Sequence, residues 1–426
     1  MKKVVCFITA LTLALCAFTG CSKKDAAKDS KGDGDVVKLE MYYYKQENQE
    51  GLATLVKKFE AANPGVKIDL LIIPNDADAM MSARAAQGKL PDILQMQSYS
   101  RVQEYAKAGF LVDLTSSDVM TKVNSGYFPA VTYEDKQFAV PMDVAGIGII
   151  YNKDTFAKYG IASPTTYREL QAACKTLKDN NIVPFAALLK ENWSVGHFIT
   201  MIQTALLLEK GTDYNKWLAD MNAGKASYGD VDTAKLFSVL DFYRANMNSN
   251  AEEMGGGEQQ QSFANGESAM MVNGLWAYLD AKKLNPSINA GFMPFPVSND
   301  ASKNLIYADV DSCWGLSAQS SKEKQAAAMK FLDWLATKDG EASWIGDYKL
   351  TCSFKDADMS VLGGPYVDLA ACSAKGTMPW MFAQYPTVVF EDACKNGAQQ
   401  YMMKSKSAEK VIADIDSQWR EAVATK

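Results

Sequence analysis

The first part of the chain alternates between strand-like and helix-like hydrophobic patterns. Residues 37–44 and 66–73 are rich in aliphatic and aromatic side chains that begin in alternation with polar ones, which predicts two β-strands. Between them, apolar residues recur at helical spacing from Leu52 to Phe59, and Asn63-Pro64-Gly65 is typical of a helix end. A strand, a helix and a strand in succession form a βαβ unit. The sequence therefore predicts parallel strand pairing and an α/β fold.

Later patterns extend this α/β lobe and then change in character. Further strands are predicted at 90–96, 137–141, 145–151, 268–272, 290–296 and 312–317. Helical patterns dominate between about residues 165 and 250, and the glycine- and glutamine-rich stretch 255–261 is interpreted as a flexible loop. The middle of the chain is therefore predicted to form a second, more helical lobe. Ligands of such folds bind between domains and beyond the carboxyl ends of strands.

The N-terminus has the pattern of a secretory signal. Two lysines precede an apolar run at residues 4–18, which is shorter than the roughly 20 residues that span a bilayer. Phe18-Thr19-Gly20-Cys21 resembles the lipobox of bacterial lipoproteins, which implies cleavage after Gly20 and lipid attachment at Cys21. The expected arrangement is a signal peptide at 1–20 and a lipidated, slack tether at 21–35, where no large apolar side chain occurs. A secreted protein with a free cysteine and an uncleaved anchor are the alternatives.

The rest of the chain has the composition of a globular protein with two domains. The full chain has 426 residues, which exceeds the roughly 250–300 at which single cores tend to divide. A net charge of −6 argues against nucleic acid or an anionic membrane surface as the main partner. The cysteines beyond the tether are odd in number and widely spaced, so they do not indicate a disulfide framework, although a bridge between Cys352 and Cys372 stays open.

Motifs for catalysis and metal binding are scarce. The chain has one histidine, His197, which weakens Ser-His-Asp and Cys-His mechanisms and most zinc sites, and which is expected to pack on the helix after Trp193. No P-loop, dinucleotide-binding, H-E-x-x-H or C-x-x-C motif occurs, so no cofactor or metal is expected. Asp309 and Asp311 keep a carbohydrate-active hydrolase or lyase open as an alternative, because glycoside hydrolases use two carboxylates.

Several segments together carry a family resemblance. Residues 263–278, FANGESAMMVNGLWAY, resemble the F-x-x-G-x-x-A-M…G-x-W signature of family 1 extracellular solute-binding proteins of ABC transporters, in particular the carbohydrate-binding, maltose-binding-protein-like type. Residues 138–161 resemble the hinge segment of that family, and 90–96, 291–297 and 326–336 match it in order. The resemblance implies a two-lobe periplasmic-binding-protein-like fold of type II, a sugar between the lobes, and delivery of that sugar to an ABC import permease.

The same resemblance implies how the chain is divided. Crossover hinge strands are expected to join a first lobe to a second, helix-rich lobe, and a bound sugar is expected to favour the closed form. Lobe 1 is expected at 36–142 and 293–345, and lobe 2 at 143–292 and 346–426. The protein is expected to be an extracytoplasmic monomer that is held to the membrane through its lipid anchor only.

A sugar site has a defined chemistry. A pyranose has hydroxyl groups round its rim and C–H groups on its faces, so its site needs aromatic platforms beside carboxylates and amides. Trp276 aligns with the sugar-stacking tryptophan of the family, and the other candidates are polar or aromatic residues near predicted strand ends and loops. The candidate ligand-binding residues are Trp276, Trp193, Asp143, Gln46, Glu47, Asp309, Asp311, Trp380, Tyr99, Glu191, Tyr43 and Tyr385.

Packing is the alternative role for several candidates, Tyr43 in a predicted strand among them. Relatives of the maltodextrin-binding type often carry a tryptophan or a charged pair after the third strand, where this chain has Met96 and Ser100, which disfavours a maltodextrin-like site. A sensor subunit of a membrane receptor also remains an alternative function. So does a binding protein for a peptide, a polyamine or a metal.

Overall fold

Strands from distant parts of the chain pair in one continuous sheet. In a computed structural model, residues 36–45, 48–73 and 78–424 are described. The strands are β1 (Val37–Tyr43), β2 (Val66–Ile72), β3 (Ile93–Gln97), β4 (Thr132–Tyr133), β5 (Lys136–Gln137), β6 (Ala139–Asn152), β7 (Val183–Ala186), β8 (Ser268–Gly274), β9 (Ala290–Met293), β10 (Ile306–Leu316) and β11 (Thr377–Met378). Nine of them form a sheet in the order β2-β1-β3-β10-β6-β8-β7, with β9 on β6 and β11 on β10, while β4 and β5 form a small hairpin.

Helices occupy most of the remaining chain. They are α1 (Gln49–Ala62), α2 (Asp78–Ala86), α3 (Ser100–Lys107), α4 (Asp118–Lys122), α5 (Lys153–Lys158), α6 (Tyr167–Asp179), α7 (Asn192–Lys210), α8 (Tyr214–Asn222), α9 (Thr233–Ala245), α10 (Gly256–Ala264), α11 (Trp276–Leu284), α12 (Lys322–Leu335), α13 (Lys338–Ser343), α14 (Pro365–Ser373), α15 (Met381–Gln384), α16 (Lys395–Met402) and α17 (Ala408–Ala424). Short 3₁₀ turns lie at Ser125–Val131, Ala251–Glu253, Ala301–Lys303 and Met359–Leu362, and π-helical turns at Trp344–Tyr348 and Val389–Cys394.

The predicted βαβ unit is present at the start of the fold. β1 pairs in parallel with β2 along its whole length and with β3 on its other side. The apolar residues of α1 face the sheet, and Phe59 meets Phe331 of α12 edge to face, with ring centroids 5.2 Å apart. The α/β class predicted from the alternating patterns is therefore confirmed.

Two main hydrophobic cores form along this sheet. The first core gathers side chains of β1, β2, β3, α1 and α12. The second surrounds α7, where Phe198 lies 4.4 Å from Tyr243 and 4.9 Å from Phe295 between ring centroids. A smaller cluster joins α10, α11 and α14. We call the part of the chain around the first core lobe 1, and the part around the other two clusters lobe 2.

Strands β6 and β10 pass from one lobe to the other. Val140 of β6 packs in the first core and Ile149 in the second, and Trp314 and Tyr307 of β10 are divided between the cores in the same way. The two strands are antiparallel, and their register shifts on either side of Ser312, so the crossover ribbon contains a bulge. The two lobes joined by crossover strands are as predicted, while the lobe boundaries given above stay a prediction.

Two local predictions were wrong. The two short strands predicted within 137–151 are one 14-residue strand, β6, because Asp143 does not break the strand but finds partners inside the fold. The stretch predicted as a flexible loop at 255–261 begins helix α10, since carboxylates accept hydrogen bonds from its first amides. The Cys352–Cys372 bridge that the sequence left open is not formed: both are free thiols, as are Cys174, Cys313 and Cys394.

Candidate ligand-binding cleft

A cavity of about 720 Å³ lies between residues of lobe 1 and residues of lobe 2. This volume is within the range of roughly 300–1,000 Å³ that is usual for small-molecule sites. The carboxyl ends of β1 and β3 reach the cavity from lobe 1, together with α3. From lobe 2 come the first turn of α7, the first turn of α10, the junction of β8 and α11, and the start of α16.

The lobe 1 wall follows from parallel pairing. Because β1 and β3 run in parallel, their carboxyl ends meet at one sheet edge, and the residues there line the cavity. Gln95 is held in place at this edge, since its Oε1 accepts a hydrogen bond from Tyr44 N at 3.3 Å and its Nε2 donates to Ser312 Oγ at 3.2 Å. The residues of this wall, with one from β10, are Tyr42, Tyr44, Lys45, Met81, Leu94, Gln95, Met96, Gln97, Arg101, Tyr105 and Asp311.

A buried ion cluster lies where the lobe 1 wall meets the crossover ribbon. The Lys45 ammonium lies 2.5 Å from a carboxylate oxygen of Asp143 on β6 and 2.5 Å from one of Asp311 on β10. The other Asp143 oxygen accepts the Ser312 backbone N–H at 2.9 Å, and the Ser312 hydroxyl as well. Lys45 is 5% and Asp143 2% exposed, so each charge depends on these partners.

The lobe 2 wall carries two of the predicted tryptophans. Its lining residues are Lys190, Glu191, Asn192, Trp193, His197, Gly256, Gly257, Gln260, Asn273, Trp276, Asp280, Glu391, Lys395 and Gln399. Trp193 lies in the first turn of α7, where its indole N–H donates to Glu191 Oε2 at 2.6 Å. Both tryptophans are half-buried, so part of each ring is available to a ligand.

Trp276 is held by packing. It begins α11 two residues after the end of β8, and its ring lies over Gly274 so closely that a Cβ at Gly274 would come within 2.0 Å of the indole. The indole meets Trp380 edge to face, with a centroid distance of 6.4 Å and an interplanar angle of 84°. Trp380 itself is buried, so the second tryptophan fixes the first from behind.

His197 also lines the cavity, although the sequence predicted only a packing role for it. Its ring stacks on Phe390 at 5.4 Å with an interplanar angle of 6° and meets Trp193 edge to face at 5.6 Å. Burial, with a smaller contribution from the nearby Lys395 ammonium, lowers the pKa of His197 to about 3. The imidazole is therefore neutral at physiological pH and adds no charge to the cavity wall.

Two charged groups of the lobe 2 wall, Lys395 and Glu391, are paired with each other. Lys395 forms an ion pair with Glu391 one helical turn before it and lies over the Phe390 ring at 5.1 Å.

In the described residues, no group of three or more histidine, cysteine, aspartate or glutamate side chains is arranged to hold a metal ion. None of the described helices combines the length and apolar character that crossing a bilayer requires.

Four predicted residues line the cavity together, namely Trp276, Trp193, Glu191 and Asp311. Asp143 does not line the cavity, but it shares the Lys45 ammonium with Asp311. Gln46, Glu47 and the lipidation candidate Cys21 lie outside the described residues, as do the predicted signal peptide and the tether. For all of the ligand-binding candidates, contact with a ligand stays a prediction.

Five predicted residues do not line the cavity. Tyr43, Trp380 and Tyr385 are at most 1% exposed, and their polar atoms have partners in the interior: Tyr348 OH at 2.7 Å, Tyr307 O at 3.1 Å and Gln203 Oε1 at 3.3 Å respectively. Tyr99 donates its hydroxyl to both oxygens of Asp309, at 3.1 and 3.0 Å. Burial raises the pKa of Asp309, whose carboxylate is already engaged by the Tyr99 hydroxyl.

Sequence reasoning also missed several lining residues. Lys45 stands beside the predicted Gln46 and Glu47, so its place after a strand was a usable signal. His197 is one helical turn after Trp193 and shares its face of α7, which was a second usable signal. Lys395 and Gln399 come from a helix near the end of the chain, and no local pattern connects them with the cleft.

Comparisons with known proteins agree with this architecture. The family model described as bacterial extracellular solute-binding protein matches residues 45–342. The chain is similar to the multiple sugar-binding protein of Streptococcus mutans, with 25% identity over 335 residues that cover 78% of this chain and 77% of that protein. It is also similar to the melibiose/raffinose/stachyose-binding protein MelE of Bacillus subtilis, with 23% identity over 316 residues, 68% of this chain and 67% of that protein.

A solved structure shares the fold. The solute-binding protein RafE in complex with raffinose matches with a TM-score of 0.78 at 23% identity, over 91% of this chain and 100% of that chain. At this identity the likeness shows the two-lobe fold alone.

Proposed function

The chain belongs to the bacterial extracellular solute-binding proteins, and from that premise we propose that it binds a sugar or a short oligosaccharide between its lobes and delivers it to the permease of an ABC importer. Proteins of this family bind their ligands and do not transform them, so the predicted absence of catalysis is confirmed at the level of the family. The ligand is therefore captured and released unchanged.

The observation that carries the proposal is the pairing of two half-buried indoles with a polar wall. Trp193 and Trp276 both line the lobe 2 side of one cavity, and Gln95, Gln97 and Asp311 line the other side. Indole rings pack against the C–H faces of a pyranose, while amides and carboxylates pair with hydroxyl groups at its rim. A wrong sugar leaves such buried groups unpaired, at about 1–3 kcal/mol for each group, which makes the site selective.

The relatives narrow the class of sugar. Their names record binding of multiple sugars in one case and of melibiose, raffinose and stachyose in the other. A cavity of about 720 Å³ has room for a ligand of more than one ring. We take short oligosaccharides of hexoses as the first class to test.

Binding is coupled to movement of the lobes. A sugar that contacts both walls stabilises the closed form, because only that form makes both sets of contacts. The bulge in the crossover ribbon beside the Lys45 cluster is the natural site of bending, since its ladder of hydrogen bonds is already interrupted there. Movement about this ribbon opens and closes the cleft.

Location follows from the family and from the N-terminal pattern. An extracellular solute-binding protein acts outside the cytoplasm. Lipid attachment at Cys21 and the polar tether after it would keep a monomeric binding protein close to its permease, which raises its effective concentration there.

A thermal-shift screen tests the proposal. The purified protein is heated with melibiose, raffinose, stachyose and maltose, and with a tripeptide and spermidine as non-sugar ligands. A sugar at 100 times its dissociation constant should stabilise the fold by about 2.7 kcal/mol. Stabilisation by the peptide or the polyamine, with no response to any sugar, would contradict the proposal. Chromatography of the recovered sugar checks that it is unchanged.

A further inference from the structure

Glu191 connects two separate elements of the lobe 2 wall. It immediately precedes α7, and its side chain accepts two hydrogen bonds with different oxygens. Oε2 accepts the indole N–H of Trp193 at 2.6 Å, and Oε1 accepts the backbone N–H of Gly256 at 2.8 Å. One carboxylate therefore joins a cavity-lining tryptophan to the first turn of α10, which is 65 residues further along the chain.

We propose that Glu191 is a positioning residue, which fixes the Trp193 indole and the start of α10 as one unit in the wall of the cleft. The inference rests on the proposed function, because it assigns this unit to sugar recognition. It also changes the role expected from the sequence, where Glu191 was a candidate for direct contact with the ligand.

The geometry favours a strong and specific connection. Hydrogen bonds to a carboxylate are shorter and stronger than those between neutral groups, and the N-terminus of a helix adds a favourable field for an anion. The hydrogen bond from the Gly256 backbone requires the Glu191 carboxylate to approach the glycine run closely, since a Cβ at Gly255 would lie 3.0 Å from Glu191 Oε1. The glycine run thus lets the carboxylate reach the helix, which explains why a stretch of loop-like composition begins α10.

The connection also determines what Trp193 offers to a ligand. Its N–H already donates to Glu191, so the indole presents its ring rather than a hydrogen-bond donor. Contact through the ring depends on the C–H face of a sugar and is tolerant of the arrangement of its hydroxyl groups. Discrimination between sugars then falls to polar residues such as Gln97 and Asp311 on the opposite side of the cavity.

The test follows the NMR signal of the Trp193 indole N–H. In the ¹H–¹⁵N spectrum of the ligand-free full chain, Trp193→Phe identifies the Trp193 indole signal by its loss. We expect Glu191→Gln to shift that signal and to speed its hydrogen exchange, because the amide cannot accept from both donors as the carboxylate does. Glu258→Gln is the matched control: Glu258 accepts the Gly255 N–H at 2.9 Å and caps the same helix without touching Trp193. It should leave the Trp193 signal in place.

Raffinose is the probe for the effect on binding. Glu191→Gln should weaken raffinose binding about tenfold, and Trp193→Phe, which loses the same hydrogen bond together with part of the ring, should weaken it at least as much. If Glu191→Gln fails to fold, Glu191→Asp serves instead, since its shorter side chain keeps the charge but cannot span both donors.

The proposal is overturned by an unshifted Trp193 signal in the Glu191 variant, or by a shifted signal with unchanged affinity for raffinose. Absence of raffinose binding by the wild-type protein is a separate outcome: it counts against the proposed ligand class, while the indole signal still decides whether Glu191 positions the ring.

Discussion

Gly274 and Trp276 form a backbone-to-ring contact that leaves no space for a side chain. A Cβ at Gly274 would lie 2.0 Å from one atom of the Trp276 ring and 2.2 Å from another. Gly274 is the last residue of β8 and pairs with Ile147 of β6, so the ring rests on the sheet close to the crossover ribbon. The place of the indole in the cleft is therefore fixed by the absence of a side chain two residues earlier.

Gly274→Ala is predicted to move this indole. The added methyl group cannot coexist with the ring in its present place, so the affinity for sugar should fall by at least about tenfold. Calorimetric titration measures the change. Gly65→Ala is the control, because no atom lies within 4 Å of a Cβ there. Equal affinities of the Gly274 variant and the wild-type protein would show that the ring position does not matter for binding.

Lys45→Met is predicted to destabilise the fold markedly. It leaves the buried Asp143 carboxylate without its cation, and removal of one partner from a buried ion pair costs about 3–5 kcal/mol. Denaturant unfolding measures the loss. The Lys58–Asp347 pair on the surface offers a comparison, since Lys58→Met should change the unfolding free energy by less than about 1 kcal/mol. The account of the ion cluster fails if the two variants unfold at the same denaturant concentration.

His197 is predicted to make the fold sensitive to acid. Its pKa is lowered to about 3 in the folded protein, while an unfolded histidine takes up a proton near pH 6.5. Between these values only the unfolded state is protonated, so the free energy of unfolding should fall by up to about 1.4 kcal/mol per pH unit as the pH drops below 6.5. Above pH 6.5 the residue is neutral in both states and contributes no pH dependence.

The comparison for this prediction is His197→Phe, which keeps an aromatic ring between Phe390 and Trp193 and removes the titrating group. Thermal unfolding of both proteins from pH 4 to pH 8 separates His197 from the carboxylates. Parallel stability curves for the two proteins over that range would mean that His197 is not held neutral.

The parts of the fold that depend on neighbouring residues were predictable from the sequence. The βαβ unit at 37–73 follows from hydrophobic periodicity, and Trp276 stands shortly after the strand predicted at 268–272, where a large ring needs a reason other than packing. Other features depend on contacts between distant residues. Lys45 has its partners 98 and 266 residues away, and its sequence neighbours give no sign of them.

Dependence on residues that are distant in the sequence also explains two of the errors. The start of α10 has the composition of a loop, and the carboxylate that helps to cap it belongs to Glu191, 65 residues earlier. Trp380 and Tyr385 stand in a segment that resembles a loop, yet both rings are buried against distant helices and strands. Composition alone could not separate a ring that faces a ligand from one that supports it.

We expect the sugar to bind in the cleft against the Trp276 ring. The most direct measurement is calorimetric titration of wild-type protein and Trp276→Ala with the sugar that gives the largest thermal shift. We predict saturable binding of one sugar per chain by the wild-type protein and no measurable binding by the variant, which should still unfold cooperatively. Normal binding by a folded Trp276→Ala protein would contradict the claim and place the ligand elsewhere.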